Sequence, residues 1–118
     1  MAFPSRIMGS GQSGLSAQTI AGSVEANITA TGTNAGTAYQ LVHVYNVVKT
    51  TAASTGVILP TSETGALMFV ANDGANTLTV YPATGATIDG SSSTTIAAGK
   101  RRFLVGISPT VWVSVLGA

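Results

Sequence analysis

The chain has 118 residues with five Lys and Arg against four Asp and Glu, so 8% of positions are charged and the formal net charge is +1. That length holds one core. The absence of cysteine excludes disulfides, thiolate metal sites and a cysteine nucleophile, and so small a net charge cannot build the broad basic footprint that neutralises many phosphates.

Nucleic acid is therefore not expected as a partner, and an ion-poor surface with little colloidal repulsion suits a component of an assembly. At the start of the chain, Met1-Ala2-Phe3-Pro4-Ser5-Arg6 lacks a basic region followed by a long apolar run. No stretch reaches the roughly 18 apolar residues of a membrane span. The sequence predicts a protein made in the cytosol with no membrane partner.

Residues 1–38 are rich in Gly, Ser, Thr, Ala and Asn, and Phe3, Ile7, Met8, Leu15, Ile20, Val24 and Ile28 follow no sustained period of 2 or 3.6. This predicts an extended arm, with at most a short helix around 16–21. Within it, Gly9-Ser10-Gly11-Gln12-Ser13-Gly14 has the G-x-G-x-x-G spacing of a dinucleotide site. Only eight residues precede it, Pro4 among them, so no core strand leads in and the segment reads as a Gly/Ser linker. Asn27-Ile28-Thr29 has the form of a glycosylation acceptor, but without a secretory signal it reads as chance.

From Tyr39 the texture changes to β-branched and aromatic runs punctuated by Gly, Pro, Asn and Asp. Strands are predicted over 39–50, 56–59, 66–71, 77–81, 86–88, 94–97, 101–107 and 111–116. Asn72-Asp73-Gly74-Ala75-Asn76 is predicted to be a hairpin turn, because Asp-Gly accepts the positive φ that tight hairpins require. Ser108-Pro109-Thr110 is predicted to be another. With no room for crossover helices, the expected fold is all-β: an antiparallel β-sandwich or barrel, jelly-roll-like, over 39–118, with 1–38 as its arm. No internal repeat stands out.

Strand alternation carries more information than strand count. Val111, Val113 and Val115 share one face and Trp112, Ser114 and Leu116 the other; Phe103, Val105 and Ile107 oppose Arg102, Leu104 and Gly106; Leu67 and Phe69 oppose Met68 and Val70. Both faces carry large apolar groups, where a sheet with one solvated side shows cleaner alternation. A second sheet of the same chain buries one side only. Either a neighbouring subunit covers the other, or the alternation is locally irregular.

No catalytic constellation emerges. His43 is the one histidine and shares its predicted face with Leu41 and Tyr45, no nucleophile elbow accompanies the serines, and Asp73 and Asp89 each precede a glycine, as turn residues do. No metal-ligand spacing, cofactor motif or paired carboxylates can be named. The chain is not expected to be an enzyme or to need a cofactor. Lys100-Arg101-Arg102, the one basic run, either engages carboxylates or phosphates of a partner or is a solvated turn. Trp112 with Tyr39, Tyr45 and Tyr81 is either a sugar-stacking platform or a set of core and interface anchors.

From Gly56 to Leu116 the order of elements resembles a β-rich segment of small virion proteins of tailed bacteriophages. The resemblance is carried by Gly56-Val57-Ile58-Leu59-Pro60, Asn72-Asp73-Gly74-Ala75-Asn76, Val80-Tyr81-Pro82-Ala83-Thr84-Gly85, Ile88-Asp89-Gly90, Ala97-Ala98-Gly99-Lys100 and Trp112. These are turn and packing residues, so no catalytic site is implied. Within that group, size, sparse charge and the arm are similar to head decoration (cement) proteins. The resemblance implies a virion protein on the capsid surface, a homotrimer that binds the major capsid protein and stabilises the head. The alternative is a receptor- or glycan-binding module of a head or tail fibre, in which Trp112 and the tyrosines would be exposed.

Large apolar residues are sparser before Tyr39 than after it. Fixing backbone costs about 1–2 kcal/mol per residue, against about 1.5–3 kcal/mol returned per buried large apolar side chain. The arm is thus expected to order against another surface through Phe3, Ile7, Met8 and Leu15, with Lys100, Arg101 and Arg102 as the charged contacts of the body.

Overall fold

The structure, a computed structural model, describes residues 23–117. Runs of β-branched residues interrupted by Gly, Asn and Asp give ten strands and no helix among those residues. They are β1 Val24–Thr29, β2 Tyr39–Gln40, β3 Tyr45–Thr50, β4 Gly56–Ile58, β5 Leu67–Asn72, β6 Leu78–Tyr81, β7 Thr87–Ile88, β8 Thr94–Ile96, β9 Arg101–Ser108 and β10 Val111–Gly117.

The all-β expectation holds, but the antiparallel, jelly-roll-like sandwich or barrel does not. A six-stranded sheet has the order β1-β3-β5-β9-β10-β7 and a four-stranded sheet the order β2-β4-β6-β8. From β1 to β9 the chain alternates between the two sheets. Through β6, each return lies parallel to the strand laid down one turn earlier: β1 beside β3, β3 beside β5, β2 beside β4, β4 beside β6. This is the winding of a short β-solenoid. Parallel neighbours need a long connection between them, but a strand in the opposite sheet supplies it as well as a helix does. Among the described strands, antiparallel pairing joins β6 with β8, β5 with β9, and β9 with β10, where the coil is closed, while β7 lies parallel to β10 at the sheet edge.

The two inner faces share one core. Ile28, Val48, Val70, Leu104 and Trp112 from the larger sheet meet Val57, Leu78, Val80 and Ile96 from the smaller, with Leu41 and Leu59 at the corners, all essentially inaccessible. Residues 23–38, assigned to the arm from sequence, make the first turn of this body: β1 pairs along β3, and Ile28 is 1% exposed.

Two turns differ from expectation for physical reasons. The predicted strand 39–50 breaks at 41–44, where Leu41 turns into the core and Asn46 Nδ2 donates to His43 O at 2.9 Å, holding the corner between sheets. The segment 72–76 is not a hairpin but carries the chain from β5 in one sheet to β6 in the other. Gly74 is there for space: a Cβ would stand 2.4 Å from Thr51 Oγ1. The tight two-residue turn with positive φ is Asp89-Gly90 (52° and 81°), where Ile88 and Ser91 exchange both backbone bonds at 2.9 Å. The 108–110 hairpin forms as expected between β9 and β10.

Candidate functional site

With the inner faces turned to the core, period-2 alternation sends the other set of side chains outward. The outer face of the six-stranded sheet is apolar. Its register aligns Val24, Tyr45, Phe69, Phe103 and Val115 in one row across β1, β3, β5, β9 and β10, and Leu67, Val105 and Val113 in the next. Leu67 is 49% exposed, Phe103 40%, Ile107 52% and Val115 72%. The aromatic rings touch along the row: Tyr45 and Phe69 lie 6.2 Å apart between centroids, and Phe69 and Phe103 meet edge to face at 6.4 Å. Phe69, Phe103, Val105, Val113 and Val115 line an open groove of about 440 Å³, with Arg101 at its end. The outer face of the four-stranded sheet is different, with Gln40, Thr79, Tyr81 and Thr95.

Charge gathers at one end of the apolar face. Lys49, Asp73 and Arg101 project from the ends of β3, β5 and β9, with Lys49 Nζ 3.4 Å and Arg101 Nη2 3.8 Å from the Asp73 carboxylate. All three are substantially exposed, so these pairs contribute little stability and leave one net positive charge. Lys100, in the turn beside them, is exposed.

The basic run is therefore split. Arg101 borders the groove, whereas Arg102 points to the other side of the sheet, where Nη1 donates to Ser114 Oγ at 2.7 Å and Nη2 to Thr95 O at 3.1 Å. Ser114 Oγ in turn donates to Asp89 Oδ2 at 2.5 Å, and the Asp89 carboxylate lies 3.9 Å from Arg102. Arg102 thus ties β8, β9, β10 and the Asp89 turn together. The other residues named from sequence, Phe3, Ile7, Met8 and Leu15, lie outside the described residues, as does the 9–14 glycine segment.

No family model, curated protein or solved structure matches the chain.

The chemistry on view is modest. Among the described residues no group of three His, Asp or Glu side chains could hold a metal ion. His43 sits at the β2–β3 corner with Nδ1 buried and unpartnered. Tyr39 donates to Glu25 Oε2 at 2.9 Å; this bond, burial and the nearby carboxylate charge together raise the phenol above its ordinary pKa. Trp112 is 1% exposed, at the centre of the core, and Tyr81 donates to Thr33 O at 3.2 Å. Of the two alternatives for Trp112, the core anchor holds, and the aromatics that share a surface are Tyr45, Phe69 and Phe103. The two-faced alternation pointed to that surface, but only the register shows the three rings in one row.

Proposed function

We propose that the chain is a virion structural protein, a capsid decoration protein that binds the major capsid protein and stabilises the head by associating with it and with further copies of itself. The observation that carries this reading is the apolar outer face of the six-stranded sheet on a body with few charges. A patch of this kind on a small domain marks an interaction surface, and among the described residues no convergent acid, base and nucleophile competes with it. Each copy then contributes modest interface energy, which a shell multiplies. Lys100 and Arg101 at the rim suit an acidic contact, and residues 1–22 supply the apolar anchors Phe3, Ile7, Met8 and Leu15. The fibre-module alternative loses its principal support because Trp112 is in the core.

The test is to add purified protein to capsids that lack it. Saturable occupancy and a raised capsid melting temperature are expected, with occupancy weakened by salt and by Lys100→Glu with Arg101→Glu. Absence of binding at tens of micromolar would sink the proposal.

A further inference from the structure

The partner for the apolar face can be deduced from what the rest of the surface lacks. A head-to-tail contact, the kind that builds a trimer or other ring, joins two different patches, whereas a two-fold contact joins one patch to itself. Among the described residues the strongly exposed large apolar side chains are Val24, Val42, Leu67, Phe103, Ile107, Val113 and Val115. All but Val42 project from this one face. Among the described residues no second apolar patch is available to receive it, so the apolar complement these residues offer on another copy is the same face.

Size and charge refine the arrangement. Four strands about 4.8 Å apart and six or seven residues long, at about 3.3 Å each, give a footprint of roughly 400 Å². Two such faces bury about 800 Å² in all, below the roughly 1,200 Å² at which stable specific interfaces begin, so the pairing is a weak, concentration-dependent one. Lys49, Arg101 and Lys100 all stand at the end where β5 finishes and β9 begins, with Asp73 the only carboxylate among them. Stacking with strands parallel would place these positive ends over one another. Antiparallel stacking places each over the other end of its partner, where the exposed turn leading into β5 carries Glu63.

We infer that two copies pair face to face through the outer surface of the six-stranded sheet, about a two-fold axis running across the strands, so that Arg101 of one copy lies toward Ile107 of the other. This rests on the reading of the face as an interaction surface and departs from the trimer that the resemblance implies.

The chain has no native cysteine, so single cysteines report contacts directly. Sedimentation of the full chain should show a concentration-dependent monomer–dimer equilibrium. Leu67→Glu and Val115→Glu, both at exposed positions, should weaken it tenfold or more while leaving circular dichroism and thermal unfolding of the monomer unchanged. Under mild oxidation, Arg101→Cys mixed with Ile107→Cys should form the mixed disulfide in excess over either homodimer. A monomer at 100 micromolar, a trimer, or preferential Arg101→Cys homodimers would each overturn the inference. Because these measurements need no capsid, a dimer that fails to bind capsids refutes the decoration reading alone, and a capsid-binding monomer refutes the pairing alone.

Discussion

Replacing Asn72 by alanine should destabilise the body by about 3–5 kcal/mol. Asn72 is fully buried at the end of β5, and its amide is saturated: Nδ2 donates to Asn76 O and Ile96 O, both at 2.8 Å, while Oδ1 accepts from Thr51 Oγ1 at 2.8 Å and Gly74 N at 3.0 Å. One side chain therefore ties the β3–β4 turn, the β5–β6 turn and β8, the places where the chain crosses between sheets. Each bond contributes about 1 kcal/mol net, and removing the amide strands partners that are themselves shielded from water. The total is a large share of the roughly 5–15 kcal/mol that holds a domain together. Urea unfolding at fixed protein concentration measures it as a shift in midpoint at unchanged slope. Asn72→Leu restores volume without the bonds and should rescue little. A loss below about 1 kcal/mol, or full rescue by Leu, would refute the view that this amide pins the crossovers.

Trp112→Ala should cost about 3–5 kcal/mol. Trp112 Nε1 has no hydrogen-bond partner, so Trp112→Phe should cost under about 2 kcal/mol; as the one tryptophan, Trp112 should emit as a buried indole until the protein unfolds. Because Tyr39 has a raised pKa in the folded protein, its contribution is complete below the ordinary tyrosine pKa of about 10 and is lost as pH rises through the higher folded value. Unfolding free energy measured across that window should therefore fall with pH, and Tyr39→Phe should flatten the slope.

Strand positions were legible in the sequence because β-branched runs and turn residues are local signals: 56–59, 66–71, 77–81, 94–97, 101–107 and 111–116 each match a strand to within a residue or so. Pairing was not legible, since it is set by which strands meet across the core. The repeat was hidden because the turns of the coil have unequal length. Tyr45 sits beside Val24 on one side and Phe69 on the other, and the aligned residues share no sequence motif. β1 was not legible because it carries only Val24 and Ile28 as large apolar residues, and the structure buries Ile28 alone. At the surface, the outward set Phe103, Val105, Ile107, Val113 and Val115 was visible as an unexplained second apolar face. That Arg102 and Arg101 part company follows from the same alternation applied to a charge run.

The most direct measurement of the functional claim is electron microscopy of purified virions from cells that carry this gene, labelled with antibody against the chain. A capsid decoration protein predicts label over the whole head, lost together with head stability when the gene is deleted. Particles free of the chain, or label confined to a tail or fibre, would contradict the account.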